Sequence, residues 1–494
     1  MLIPEEAQVT LDSDLTGAVQ SAIANEGTLS VQSSSPLTLT NAFSGAGSLD
    51  LTRSANTTLA GQSTLTGSID IGANRLTVAS AQALGVGNLT TTGGRLTVHD
   101  GITLVGLNVQ GALELASGIR TMGDQTYGGQ LTLASTGPDT FTLQSQTGSI
   151  EFNGTIDAGT NAKSAQRSLD IQATNGSIRV NERIGLDVTD MTAEQYMRHT
   201  GTNPWALSMT ARDIYLSADI TTYETQTYTG DVWVAADPGG EPAITLTSMD
   251  PAVMFMGRIN DTEAGTHTLN VRAITTLTDR SEMPQVMFGD VVGDVNPLGG
   301  LNVLVGMQSP NPEAPLGELN PDLIQAIGRI TIVQGITTEQ DQFYQTDVMV
   351  TGNAQTQDLA LTSRQGTVTI VLGQRAGSGI TSNGNFTVLE RAAVITPDTD
   401  SGDTGGASGS DNSNNGQRRG GGSSDIAQAG IIQAATEEEL EQLARSSTNA
   451  GSLDSRLVAS EQAAQTPVSA QGDATAGQSN EVLFEAQIEV GEID

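Results

Sequence analysis

The residues best suited to chemistry in this chain are its three histidines, His99, His199 and His267. An imidazole acts as a general base or a metal ligand only when a second group stands at a suitable position. No two of these histidines have the spacing of metal ligands, and no Gly-x-Ser-x-Gly elbow accompanies them. A Ser/His/Asp triad is a spatial arrangement, so the sequence leaves it open. We expect solvated histidines in turns and no enzymatic activity.

Carboxylates are the next candidates. Asp290 and Asp294 could bind Ca²⁺ weakly through oxygen ligands, although no EF-hand loop or calcium-binding nonapeptide occurs. No other cofactor is predicted. A polysaccharide-active β-helix enzyme would place arginines beside an acidic cluster in a long groove, and such convergence would distinguish this alternative. The arginines are scattered along the sequence, among them Arg183, Arg212, Arg258 and Arg272.

The composition limits the classes of molecule that the chain can bind. The formal net charge is −35 and Lys163 is the only lysine, so the surface repels phosphate backbones and anionic lipids. There is no cysteine, which excludes disulfides and thiolate metal sites. No apolar run approaches the roughly 18–20 residues that span a bilayer. We therefore expect no nucleic acid and no membrane insertion; the expected partners are cell-surface glycans or proteins, or copies of the chain itself.

A spaced signature occurs three times in the middle of the chain. Each copy has the form Ile-x-Thr-x-x-x-Gln-x-Tyr, and an apolar pair follows four and six residues after the tyrosine. Recurrence at a long period indicates a solenoid, a propeller or an array. The signature residues are Ile119, Thr121, Gln125, Tyr127, Ile220, Thr222, Gln226, Tyr228, Ile336, Thr338, Gln342 and Tyr344.

The repeated tyrosines have two interpretations. They could form a row of stacking platforms for glycans. With four or five coils per repeat at ~4.8 Å each, however, they would lie ~20 Å or more apart, too far for one short sugar. The other interpretation is a structural Gln-x-Tyr corner that opens each repeat. We predict the structural role.

The strand pattern predicts the fold. Short runs alternate apolar residues with Thr, Ser, Asn or Asp, and Gly, Asn and Asp turns separate them. No sustained helical period occurs before about residue 395, and aromatic residues make up only 3% of the chain. A narrow core of stacked Val, Ile, Leu and Ala suits a parallel β-helix. An array of β-sandwich domains is the second possibility.

The signature, followed by Phe-x-Gly-x-Ile in the first two copies, resembles the repeats of filamentous-haemagglutinin-type bacterial surface proteins. The resemblance covers roughly residues 100–390. It implies a right-handed parallel β-helix, export, and a role as an adhesin or extended scaffold, with no catalytic residues to carry over. The Asn-Pro-x-Gly element of a two-partner secretion module has only internal counterparts, at Asn203 and Asn296.

We divide the chain into N-terminal coils (1–118), three repeats (119–395), a flexible Gly/Ser/Asp linker (396–424) and an acidic tail (425–494). The tail contains a predicted short helix near Thr436 and a possible terminal strand beginning at Val482. The N-terminus has no basic region followed by an apolar stretch, so no signal peptide is predicted. We expect a fragment or a processed form of an extracellular protein.

A long insert between Leu186 and Ala206 interrupts the first repeat. Because loops on a rigid solenoid commonly carry binding residues, Tyr196, His199 and Trp205 in this insert are the predicted partner contacts. The sequence thus predicts a non-enzymatic, extracellular β-solenoid that binds passively and multivalently. A self-assembling filament or surface-layer protein and the polysaccharide-active enzyme are the alternatives.

Overall fold

The computed structural model describes residues 1–12, 22–158, 166–186, 188, 203–235, 242–249, 252–275, 283–308, 324–325, 327–351, 359–371, 380–382, 386–389, 392–395 and 480–482. Every regular element in these residues is a β-strand. Within them, no helix has the length and apolarity needed to cross a bilayer.

The strands are short and follow one another closely. The N-terminal strands are β1 Leu2–Ile3, β2 Gln8–Asp12, β3 Ile23–Asn25, β4 Thr28–Ser33, β5 Leu37–Leu39, β6 Phe43–Gly45, β7 Ser48–Ser54, β8 Asn56–Leu59, β9 Thr64–Leu65, β10 Ile69–Gly72, β11 Arg75–Val78, β12 Asn88–Thr91, β13 Gly94–Val98, β14 Leu107–Gln110 and β15 Leu113–Leu115. The middle strands are β16 Ile119–Thr121, β17 Gln125–Tyr127, β18 Leu131–Leu133, β19 Thr140–Ser145, β20 Ile150–Phe152, β21 Ile156–Asp157, β22 Ser168–Val180, β23 Leu207–Leu216, β24 Ile220–Thr222, β25 Gln226–Val234, β26 Ala243–Ser248, β27 Ala252–Phe255, β28 Ile259–Asp261, β29 Thr268–Thr275, β30 Gln285–Phe288 and β31 Gly300–Gln308. The remaining strands are β32 Ile324–Gln325, β33 Arg329–Ile332, β34 Ile336–Thr338, β35 Gln342–Gln345, β36 Asp347–Val350, β37 Leu359–Ser363, β38 Val368–Val371, β39 Ile380–Ser382, β40 Phe386–Leu389, β41 Ala392–Ile395 and β42 Asn480–Val482.

Parallel pairing between successive turns arranges these strands into three long faces. Face 1 contains β1, β3, β6, β9, β16, β19, the first halves of β22, β23 and β25, then β27, β30, β33, β36 and β39. Face 2 contains β2, β4, β7, β10, β12, β14, β17, β20, the second halves of β22, β23 and β25, then β28, β34, β37 and β40. Face 3 contains β5, β8, β11, β13, β15, β18, β21, β24, β26, β29, β31, β35, β38 and β41.

The chain is therefore a parallel β-helix in which most turns contribute one strand to each face, and isolated bridges at Leu104, Ile184 and Val292 take the place of a strand in three others. Alternation along each strand sends every second side chain inward, as in Leu76 and Val78 of β11, which are fully buried. One continuous apolar cluster runs from Ile3 to Ile370 through all three faces. Apart from β32 and β42, which pair antiparallel with β31 and β39, all the paired strands are parallel. The β-sandwich array is therefore wrong, because such sandwiches are antiparallel.

The pairing runs without a break across the predicted boundary at residue 118, since β14 pairs with β17 and β15 with β18. The predicted linker (396–424) and the predicted helix near Thr436 lie outside the described residues. Of the predicted terminal strand only Val482 is described. It ends β42, which pairs antiparallel with β39 of the same chain.

The Gln-x-Tyr parts of the three signature copies lie on three different faces. Tyr127 lies on face 2, and the chain crosses that face again at β20, β22 and β23 before Tyr228 appears two faces later, on face 1. Tyr228 is followed in the same way by Tyr344, on face 3. Each repeat thus spans three and two-thirds turns, fewer than the four or five considered from sequence, because long connections use up part of its length.

Candidate functional site

One corner of the solenoid carries most of the long connections of the three repeats. Five links from face 3 to face 1 are long, although the links 223–225 and 249–251 at the same corner have only three residues each. Two links of eight residues, 235–242 and 351–358, lie at the other two corners. The repeat rotates by one face from copy to copy, so equivalent positions fall at different corners, yet five of the seven links with eight or more residues in the repeats lie at this one. They are 158–167, 185–206, 276–284, 309–328 and 372–379.

The longest of these links replaces a short element of the repeat. Gly185 corresponds to Gly293, and both have positive φ angles, 81° and 75°. In the second copy Gly293 is separated from Asn296-Pro297 by two residues; in the first copy residues 186–202 separate Gly185 from Asn203-Pro204. The buried Asn203 closes the base of this insert, because its Oδ1 accepts a hydrogen bond of 2.5 Å from the N–H of Leu186.

Apolar side chains form a small cluster at the base of the insert, outside the main core. Tyr223 and Met249 are each 6% exposed, and Leu186, Val188 and Trp205 pack with them. The rings of Trp205 and Tyr223 lie 5.9 Å apart with a tilt of 39°. Burial raises the pKa of Tyr223 to about 12. We call these five residues the insert-base cluster.

The repeat itself does not require this cluster. The third copy has Glu339 at the position of Tyr223 and Arg364 at the position of Met249, and these two side chains form an ion pair of 2.8 Å. In the first copy Met122 replaces Tyr223 and is 55% exposed. The same backbone therefore accepts polar or exposed residues, and the apolar cluster is specific to the corner that carries the insert.

A charged cleft of about 170 Å³ adjoins the insert-base cluster and shares Leu186 and Val188 with it. Arg272 lines the cleft and is 1% exposed; burial lowers its pKa to about 10, so it remains charged at neutral pH. The other polar side chains in the lining are Glu182, Arg183, Asp219, Thr221, Thr245 and Thr247. Arg183 and Arg272, which lie far apart in the sequence, thus meet at one cleft.

The signature residues all lie in the core, each at most 1% exposed. In the second copy the hydroxyl of Tyr228 donates to Gln226 Oε1 at 2.8 Å. The amide of Gln226 donates to Thr222 Oγ1 at 3.2 Å and to the carbonyl of Thr247, one turn later, at 2.8 Å. The first and third copies repeat these bonds with nearly the same distances.

This hydrogen-bond network stabilises the core and leaves the signature side chains no surface with which to bind a ligand. A glutamine in an apolar core must find partners for its amide, and each of these glutamines ties a strand to the next turn. Aromatic stacking continues the arrangement, with Tyr228 5.2 Å from Phe255 and Phe255 5.6 Å from Phe288. Because the tyrosine rings are buried on three different faces, they do not form a row of glycan platforms.

The sequence expectation for His267 is wrong. It is not a solvated turn residue but is 6% exposed, and its Nδ1 lies 2.5 Å from Oδ1 of the fully buried Asp261. The same carboxylate accepts hydrogen bonds from the backbone N–H groups of Glu263, Thr266 and His267 itself. The His267 ring is buried because the carboxylate of Asp261 needs hydrogen-bond donors within the turn. The spacing of these residues in the sequence did not reveal that requirement. His99 is exposed, as expected.

The remaining sequence candidates are dispersed. Asp294 forms an ion pair of 3.1 Å with Arg258, and Asp290 accepts a hydrogen bond from the N–H of Val291. Among the residues that the structure describes, no group of three or more His, Asp or Glu side chains could hold a metal ion. Tyr196 and His199 lie outside the described residues, whereas Trp205 belongs to the insert-base cluster.

Comparisons with known proteins return nothing for this chain: no family model, no curated protein and no solved structure matches it.

Proposed function

We propose that this chain is an extracellular, adhesin-like surface scaffold that binds passively and multivalently, and that the corner between faces 3 and 1 is its contact region. The main observation in support is the placement of most of the long links at that corner despite the rotation of the repeat. Links at equivalent repeat positions on other corners stay short, so folding of the repeat does not demand them. The proposed resemblance to filamentous-haemagglutinin-type repeats agrees with this role.

The physical basis is a rigid rod with a large continuous core. A solenoid of this kind holds its loops at fixed intervals, and several weak contacts along one edge combine through their high effective concentration. The insert-base cluster supplies a packed support for the longest link. A net charge of −35 favours partners that are neutral or cationic over nucleic acids or anionic lipids.

A polysaccharide-active enzyme is the second candidate, because Arg183 and Arg272 meet Glu182 and Asp219 at the charged cleft. The cleft of about 170 Å³ is smaller than typical small-molecule sites of roughly 300–1,000 Å³. It is also a single pocket rather than a long groove. We therefore place passive binding first.

A bead-adhesion experiment tests the proposal. Beads coated with the full chain are washed over layers of epithelial, plant and bacterial cells, beside beads that carry a variant in which Asp-Val replaces residues 186–202. Asp-Val is the link that joins Gly293 to Asn296 in the second copy, so the solenoid should fold unchanged. We expect retention of the intact chain on at least one cell layer and a large loss for the variant.

Four results would contradict the proposal. Retention on no cell layer would exclude adhesion to these cells. Equal retention of the variant would exclude the insert as the contact region. Release of new reducing ends from a polysaccharide panel would favour the enzyme. Growth into filaments, measured by light scattering, would favour the self-assembling alternative.

A further inference from the structure

A stack of three side chains stands on the outer surface of face 2. Arg179, Tyr215 and Trp233 are neighbours in register on β22, β23 and β25. The guanidinium carbon of Arg179 lies 3.9 Å from the centre of the Tyr215 ring. The rings of Tyr215 and Trp233 lie 6.4 Å apart and are inclined by only 18°. We call these three residues the face-2 stack.

The repeat does not account for the face-2 stack. The positions equivalent to Trp233 are Thr132 and Met349, and those equivalent to Tyr215 are Glu114 and Thr331. All four residues occupy strands with the same inward-facing apolar neighbours, so this backbone does not need an aromatic residue there.

The stack is open at one end. Arg179 covers one face of Tyr215 and Trp233 covers the other, whereas the neighbour of Trp233 on β28 is Asn260, which has no ring. The side chain of Asn260 is itself occupied by the N–H groups of Val295 and Asn296, at 3.0 and 3.2 Å. Trp233 remains partly exposed at the end of the stack.

Hydrogen-bonding groups flank the rings on the same flat face. Trp233 Nε1 donates to Asp213 Oδ1 at 3.2 Å, which fixes the orientation of the indole. Asp231 lies beside Asp213 in register, and Arg212 donates to Asp213 Oδ2 at 2.7 Å. On the other side of the stack, the amide of Asn181 donates to Asn153 Oδ1 at 2.6 Å. Donors and acceptors of both charges therefore border an oriented aromatic surface.

We propose that the face-2 stack binds a neutral, pyranose-based polysaccharide. The C–H face of a pyranose packs on an oriented indole ring, while its hydroxyls exchange hydrogen bonds with carboxylates, amides and guanidinium groups. An acidic polymer is disfavoured by the net charge of −35.

The inference rests on the proposed function, binding through the outer surface, but it concerns a different surface. The face-2 stack belongs to the one face that does not border the corner between faces 3 and 1. The two proposals can therefore fail separately. Replacing residues 186–202 should leave polysaccharide binding unchanged, and altering the stack should leave contacts made by the insert unchanged.

The chain provides its own optical probe, because Trp205 and Trp233 are its only tryptophans. In a Trp205→Phe variant, all tryptophan emission comes from Trp233. The probes are soluble β-glucan, galactomannan and dextran, with polygalacturonate as the acidic arm and a proline-rich peptide as the protein arm. We expect at least one neutral polysaccharide to shift the Trp233 emission and to give a saturable binding curve by calorimetry with the full chain.

Substitutions taken from the repeat test the residues. Trp233→Thr and Tyr215→Thr insert the residues found at equivalent positions, and Met349→Thr makes a matched change at the same repeat position on face 1. We expect binding about tenfold weaker for Trp233→Thr, the factor for losing one aromatic contact, a smaller loss for Tyr215→Thr, whose ring supports Trp233, and no change for Met349→Thr.

Several outcomes would overturn the proposal: no shift with any neutral polysaccharide, binding of only the acidic polymer or the peptide, or undiminished binding by both Thr variants. If a Thr variant fails to fold, the emission of Trp233 in the intact stack still decides the question. Adhesion of beads without polysaccharide binding would refute this inference alone, and polysaccharide binding without adhesion would refute the proposed contact corner alone.

Discussion

The hydroxyl of Tyr228 donates a hydrogen bond of 2.8 Å to Oε1 of Gln226, two residues earlier on the same strand, and both side chains are fully buried. The same pair recurs as Gln125/Tyr127 and Gln342/Tyr344. Each copy lies on a different face, so this polar contact stabilises each of the three sheets once.

Removing that contact should be costly. Tyr228→Phe leaves Gln226 Oε1 in the core without its donor, and we expect a loss of about 1–2 kcal/mol in unfolding free energy. Gln226→Leu should cost more, because the Tyr228 hydroxyl and the carbonyl of Thr247 both lose a partner. Hydrogen exchange at the amides of β25 and β27 measures the local effect. Tyr215→Phe on the outer surface is the control, and an equal effect there would contradict the role of burial.

High pH should break the hydrogen bond between each buried tyrosine and its glutamine. Burial raises the pKa of Tyr127, Tyr228 and Tyr344 above the usual value for tyrosine. The folded state therefore retains their protons longer than the unfolded chain. Their contribution to stability is full below the unfolded pKa of about 10 and is lost as the pH rises through the higher folded pKa.

Phenolate absorbance during a pH titration measures this effect. We expect the signal of the three buried tyrosines to appear together with unfolding rather than as a separate step. Substituting all three by Phe should remove that part of the signal. A smooth titration of all tyrosines near pH ~10 while the solenoid stays folded would contradict the prediction.

The stacked rings in the core predict unequal costs for similar substitutions. Phe255 stacks on Tyr228 and on Phe288, whereas Phe152 stacks on Tyr127. Both phenylalanines are fully buried. Phe255→Leu should cost about 0.5–1.5 kcal/mol more than Phe152→Leu, the value of one further aromatic pair. Chemical unfolding midpoints of the two variants test this difference, and equal midpoints would show that ring stacking adds nothing beyond burial.

The base of the insert depends on one glycine. Gly185 has φ +81°, and a Cβ there would lie only 2.3 Å from the carbonyl oxygen of Thr221. Gly101 has nearly the same angle, +78°, but a Cβ would meet nothing within 4 Å. Gly101→Ala should cost about 1–2 kcal/mol for the left-handed conformation alone. Gly185→Ala should cost clearly more and should loosen the insert-base cluster, which proteolysis of the link 185–206 would reveal.

Much of this protein could be predicted from its sequence, because the relevant signals are local or repeated. Alternating apolar residues, such as Leu76 and Val78, predict strands with one buried face, and the scarcity of aromatic residues predicts a narrow core. Four identities at fixed spacing predict the repeat and the structural corner of Gln226 and Tyr228. In each case the interactions that form the structure involve residues a few positions apart, so the sequence pattern is enough to predict them.

Only the tertiary structure decided how the copies are oriented and what meets on the outside. The three and two-thirds turns per repeat cannot be read from a residue count, because a long link and a short link each complete one corner of a turn although they contain different numbers of residues. Arg183 and Arg272 meet across 89 residues of chain, and Arg179, Tyr215 and Trp233 align across 54, only because parallel register places equivalent strand positions side by side. Register is a property of the hydrogen-bonded neighbours of a strand, and the neighbours in this fold are always one full turn away.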